Sequence, residues 1–159
     1  MAKRAVSPLI ATILLVALTI SIGAMIIGWG KEYVKKQTKC VGYEIDILST
    51  RADYTNRVLK VSVHNKGTED LILSTEASPL VFHAVIAGQD YYCAVADLAT
   101  IGTSGCAIKK ETADLAAGQI GTIEIHFGSG IDLSKYEEGE FIIKGCGTIG
   151  EKIMPYMLT

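Results

Sequence analysis

Between Arg4 and Lys31 the chain carries no charged side chain. Written as a helix, the run from Ala5 to Gly30 measures on the order of 37 Å, enough to cross a hydrocarbon core of about 30 Å. A stretch this long and this apolar belongs in a membrane or among other apolar helices. An ordinary secretory signal has an apolar centre of only about 7–15 residues and is discarded at a small-x-small exit. Here such an exit, Ser21-Ile22-Gly23, would fall inside the run, so the run is expected to stay with the protein. Ser7 and Pro8 suit the N-cap and the first helical position, where the missing Pro N–H costs nothing. The helix is therefore predicted to begin at Val6 or Ser7, which leaves Lys3, Arg4 and Ala5 outside it as a short basic peptide.

Within the run, Ala17, Ser21, Ala24 and Gly28 recur at steps of four, three and four and share one helix face, where small side chains let other helices approach closely. Trp29 and Tyr33 suit either an interfacial aromatic belt or helix packing. The pattern continues through "KEYVKKQTK", with Glu32 and Lys36 four apart and the lysines favourably placed near the C-terminal end of the helix dipole. Cys40 and Gly42 mark its exit.

Charge changes sign at that boundary. Residues 1–39 hold six of the fifteen basic residues and one of the seventeen acidic ones, leaving nine basic and sixteen acidic beyond, a net of -7. A basic stem thus carries an acidic head. The separation predicts stem-to-head pairing between subunits. With no basic stripe in the head, nucleic-acid binding is not expected.

From Gly42 onward the period changes to two. "YEIDIL" sets Ile45 and Ile47 against Glu44 and Asp46, "LKVSVHN" puts Leu59, Val61 and Val63 on one face, and "TIEIHF" does the same with Ile123, Ile125 and Phe127. "LVFHAVIA", "QDYYCAV", "FIIKGC" and "KIMPY" add candidates, separated by breakers such as Asn65-Lys66-Gly67, Ala87-Gly88 and Ala117-Gly118. Seven to nine short strands with regular turns predict one immunoglobulin-like sandwich, and roughly 120 residues suffice for one core. The expected fold is α+β: a long N-terminal hydrophobic helix followed by an immunoglobulin-like antiparallel β-sandwich. The expected segments are a leader at 1–5, a hydrophobic and stem helix at 6–39 and a head at 40–159.

All four cysteines lie beyond the apolar run, and an even count in an exported domain points to disulfides. Of the three possible pairings, Cys93 with Cys106 closes a Gly-rich loop and Cys40 with Cys146 ties the entrance of the head to a late strand. The alternatives are buried reduced thiols and a metal set, although the chain has no Cys-x-x-Cys and His64, His83 and His126 lack ligand spacing. His64 and His126 fall on polar strand faces and are read as solvated. No nucleophile elbow, phosphate loop or His-Glu-x-x-His is present, so neither an enzyme nor a cofactor is expected. Neither Asn56 nor Asn65 lies in an Asn-x-Ser/Thr acceptor.

The N-terminal stretch "KRAVSPLIATILLVALTI" resembles that of archaeal type IV pilins, and "VSVHNKGTEDLIL" resembles strand-turn-strand segments of their heads. The resemblance implies a class III signal peptide cut after Ala5, with Lys3 and Arg4 read by a prepilin peptidase and Val6 as the mature N-terminus. It departs from bacterial pilins in having Ile10 where they carry Glu, and it lacks the Gly-rich start of archaellins. On this reading the chain enters the membrane as a precursor and becomes a structural subunit of an adhesive-type pilus. The filament is a homopolymer built through helix-helix packing by pilus assembly machinery, with the heads exposed on the cell surface. The rival is a permanently anchored extracytoplasmic binding module that touches a surface layer or partner, as archaellum stator subunits do. A third arrangement inverts the topology, because Lys31, Lys35, Lys36 and Lys39 outnumber Lys3 and Arg4, but the cysteines oppose a cytoplasmic head.

Overall fold

The computed structural model describes the backbone of residues 8–158, and their side chains except at 8, 9, 32 and 35–39. The described chain divides into two compact units, 1–39 and 40–159. In the first, a helix α1 runs Pro8–Val41, its last residues entering the second unit. It opens on proline, whose missing N–H falls among the first-turn donors that have no partner in any helix. Two of its hydroxyls are satisfied from within: Thr19 Oγ1 donates to the Val16 carbonyl at 2.9 Å and Ser21 Oγ to that of Ala17 at 2.8 Å. Turned back in this way, they present little polar surface to an apolar medium.

The head is an eight-stranded sheet with order β1-β2-β6-β5-β4-β3-β7-β8. The strands are β1 Ile45–Asp53, β2 Val58–Asn65, β3 Leu80–Ile86, β4 Gln89–Ala96, β5 Cys106–Lys109, β6 Ile120–Phe127, β7 Tyr136–Ile143 and β8 Gly147–Ile153. Every pairing is antiparallel except β4 with β5. Both layers of the sandwich belong to one continuous ladder that rolls over on itself until its edges nearly meet. Thr50 in β1 forms a bridge with Leu158, and Gly150 of β8 lies so close to Ile45 that a Cβ there would sit 2.8 Å from the Ile45 carbonyl oxygen. Near-closure leaves little exposed strand edge to pair with other chains.

One apolar core fills the roll. Leu59, Val61 and Val63 from β2 and Ile123, Ile125 and Phe127 from β6 point into it, as the period of two requires. Phe82 and Phe141 pack against each other in the core, their rings tilted by 58° with centroids 5.0 Å apart. In β1 the register slips between Ile47 and Ser49, which turns Leu48 outward and buries Thr50. A bulge of this kind adds one residue and shifts which side chains face the core.

Strand direction gives the head two ends. At the proximal end the chain enters from Cys40, and the Gly42 carbonyl accepts from the amides of Thr68 and Glu69 at 2.9 and 3.1 Å. Asn65 is buried there, and its side chain bonds the turn after β2 and the strand-like segment around Leu115. The distal end holds the β1–β2 turn at 54–57 and the β6–β7 connection at 128–135. The crossover at 97–105, needed because β4 and β5 are parallel neighbours, returns the chain to that end.

The structure departs from the sequence expectation in three places. β5 was not anticipated, β7 begins at Tyr136 so that Gly145-Cys146 forms a turn, and "KIMPY" ends its strand at Ile153 and passes into a short 3-10 turn, Pro155–Met157.

Candidate functional surfaces on the helix and the head

The apolar helix presents the larger surface. Ile10–Lys31 forms a span long enough, at about 33 Å, to cross a membrane, and none of its residues is buried. Ile13, Leu14, Val16, Leu18, Ile20, Met25 and Ile27 all stand exposed, distributed around the helix and not gathered in one stripe. A helix apolar all round needs an apolar environment all round, which is what separates a membrane or filament helix from an amphipathic surface one. Ala17, Ser21, Ala24 and Gly28 are also exposed, and a Cβ at Gly28 would meet nothing within 4 Å. Trp29 and Tyr33 stand exposed near the end of the span. The processing residues Lys3, Arg4, Ala5 and Val6 lie outside the described residues.

Covalent ties hold the head. Cys40 is bonded to Cys146 across a sequence separation of 106, at the proximal end where the chain leaves α1. Cys93 is bonded to Cys106 across a separation of 13, joining the parallel neighbours β4 and β5 beside the core. No described cysteine is free, and such bonds persist in oxidising compartments.

The outer face of β2, β6 and β5 carries an ion-pair network. Glu124 lies 2.7 Å from Lys60 Nζ and 3.2 Å from Lys109 Nζ, and these cations, Lys60 first, hold its carboxyl down at about 2. His126, beside it, is half-buried instead of solvated. Its Nε2 is shielded from water, lies 3.5 Å from Glu124 Oε2 and makes no hydrogen bond. On the opposite part of the roll, His83 sits between Asp90 at 2.9 Å and Glu140 at 3.4 Å, with its ring stacked on Tyr92 at 4.6 Å. Among the described residues no group of three or more His, Cys, Asp or Glu is arranged to hold a metal ion.

The distal end was not singled out by sequence. Three open clefts adjoin there in series. The first, roughly 530 Å³, lies along Arg51, Tyr54 and Lys60. The second, roughly 220 Å³, shares Tyr54 and adds Arg57, Ser129 and Asp132, and the third, roughly 320 Å³, shares Ser129 and adds Leu98, Thr103 and His126. Sequence signals for it are weak: two arginines around a turn and two short Gly-Ser loops look like ordinary solvated connections.

No protein-family profile matches the chain, and no curated protein is significantly similar to it. Among solved structures, it is similar to the archaellum periplasmic stator protein FlaG from Sulfolobus acidocaldarius, at 12% identity over 70% of this chain and 99% of that one, with a TM-score of 0.47. It is likewise similar to the archaellum periplasmic stator protein complex FlaF and FlaG from the same organism, at 13% identity over 69% of this chain and 88% of that one, with the same TM-score. A likeness of this degree carries neither family membership nor function.

Proposed function

We propose that the chain is a membrane-anchored module whose disulfide-bonded β-sandwich stands outside the cytoplasm and serves assembly or binding without catalysis. The observation that carries this reading is a 22-residue span, Ile10–Lys31, with no buried residue, followed by a head whose four cysteines are all in disulfides. The helix has no core to bury it, and the head has the chemistry of an oxidising compartment. The unpaired helix supplies membrane affinity, and the nearly closed sheet supplies a rigid, soluble body.

A second reading makes the same chain a type IV pilus subunit, with the helix from Val6 packed against copies of itself. Two observations favour it: the boundary in "KRAVSPLIA", with a basic leader against a Ser-Pro helix start, and the exposed face formed by Ala17, Ser21, Ala24 and Gly28. One experiment separates the two. Protein recovered from host cells is analysed for its N-terminal residue while sheared surface material is examined by electron microscopy. An intact leader and no filaments support the anchored module, whereas Val6 as first residue together with filaments containing the chain would replace it with the pilus subunit. Release of the chain from membranes by alkaline carbonate, with no filament, would overturn both.

A further inference from the structure

The two side-chain nitrogens that are buried without a hydrogen-bond partner among the described residues, Arg57 Nε and His126 Nε2, both belong to residues lining the distal series of clefts. Orphaned polar atoms are costly and uncommon in folded proteins, and since His126 Nε2 has the Glu124 carboxylate 3.5 Å away, Arg57 Nε is the one of the two that lacks a partner of either kind among the described residues. Arg57 Nε can only donate, which makes that partner an acceptor.

Charge sharpens this. Arg51 and Arg57 are the only arginines of an otherwise acidic head, and both flank the β1–β2 turn. Among the described residues neither side chain makes an ion pair, although two carboxylates stand nearby. Asp53 is occupied by Asn56, accepting from its backbone amide at 3.0 Å and from Nδ2 at 2.8 Å. Asp132 is occupied by Ser134, accepting from the amide at 3.1 Å and from Oγ at 2.7 Å. Both carboxylates stay ionised on the walls of the same clefts, but among the described residues neither is bonded to a guanidinium, so Arg51 and Arg57 keep paired N–H donors with which to grip an outside anion. Lys60 lines the same track but is already held by Glu124.

Between the arginines the Tyr54 ring stands about half exposed and forms the wall shared by the first two clefts. An exposed aromatic face at the junction of linked, shallow polar clefts suits a chain of sugar rings laid across it. A folded acidic protein surface would have no reason to thread such a series. We infer that the distal track of Arg51, Tyr54, Arg57 and Ser129 binds an acidic oligosaccharide, its carboxylates on the arginines and a ring over Tyr54. This site lies wholly in the head and holds for an anchored module and a filament subunit alike.

The test uses the full chain in lipid nanodiscs, titrated calorimetrically with a galacturonic acid hexasaccharide. Binding is expected at low salt and should weaken at high salt. Arg51→Ala and Arg57→Ala should each weaken it at least about tenfold, and Tyr54→Ala roughly fivefold, while Lys144→Ala at the proximal end leaves it unchanged. Arg51 is exposed on its strand, so its variant keeps the test valid should Arg57→Ala fold poorly; circular dichroism verifies each variant. Absence of hexasaccharide binding would overturn the inference. So would equal binding of neutral maltohexaose, which removes the anion, or of hexaglutamate, which reduces the site to charge alone and favours an acidic protein.

Discussion

Replacing Asn65 should unfasten the proximal end of the head. Its side chain is fully buried and makes three hydrogen bonds: Nδ2 donates to the carbonyls of Glu69 at 2.9 Å and Leu115 at 3.0 Å, and Oδ1 accepts from the Gly67 amide at 3.1 Å. At about 1 kcal/mol net for each bond, Asn65→Ala should cost about 3 kcal/mol. Some relief is built in, because the Gly67 amide also bonds the Glu44 carbonyl and the Leu115 carbonyl also accepts from Leu71. The small cavity left behind works the other way. For a head of this size that corresponds to a fall in Tm of roughly 10–15 °C. Asn65→Asp has nearly the same shape but sets a carboxylate oxygen against two carbonyl oxygens. The carboxyl it introduces is pushed above its unfolded value of about 3.9, so the variant is best tolerated below that pH and loses stability as pH rises through the elevated folded value. The assay is near-ultraviolet circular dichroism of the full chain in detergent during heating, at neutral and acid pH. A loss under about 1 kcal/mol for Asn65→Ala, or no acid recovery for Asn65→Asp, would refute the reasoning.

Glu124→Gln should cost about 1–2 kcal/mol near neutral pH, a figure reduced for the exposure of its lysine partners. Because the Glu124 carboxyl is depressed to about 2, its contribution is present above the unfolded value and is lost as pH falls through about 2, so variant and parent should converge in strong acid in denaturant melts. Replacing Cys93 and Cys106 together with alanine should cost about 3 kcal/mol, and replacing Cys40 and Cys146 nearer 5, by the entropy of closing a short and a long loop; comparative thermal melts give the order, and a reversed order would oppose it. If the helices pack through their small-residue face, Ala24→Leu should abolish or shorten filaments without reducing membrane-bound protein, while Leu15→Ile changes neither. Normal filaments from Ala24→Leu in electron micrographs would remove that face as the packing surface.

The helix was legible because its signal, an uncharged run bounded by Arg4 and Lys31, depends on nothing outside itself. β2 and β6 were legible for the same reason: Leu59, Val61, Val63 and Ile123, Ile125, Phe127 alternate against polar neighbours and lie side by side in the sheet. β5 was missed because Cys106–Lys109 is only four residues long and earns its strand state from the neighbours on either side, β4 and β6. The β1 bulge was hidden because Leu48 reads as apolar and stands outside all the same. His126 misled for a related reason. Its place on a polar strand face is correct, but the loop at 97–105 and the turn after Phe127 close over that face, and periodicity carries no information about what covers a strand from elsewhere in the chain. The distal clefts are of that kind throughout, since Arg57 and Ser129 are 72 positions apart in sequence and meet only through the register of β2 against β6.

The central claim is that a membrane-held helix carries this head outside the cytoplasm. An impermeant amine-reactive label applied to intact host cells tests it most directly, read by mass spectrometry on peptides containing the exposed lysines Lys110 and Lys144, with the membrane fraction washed in alkaline carbonate beforehand. The account predicts label on both lysines in unbroken cells and a chain that stays with the membrane. Label that appears only after lysis would place the head in the cytoplasm and contradict it.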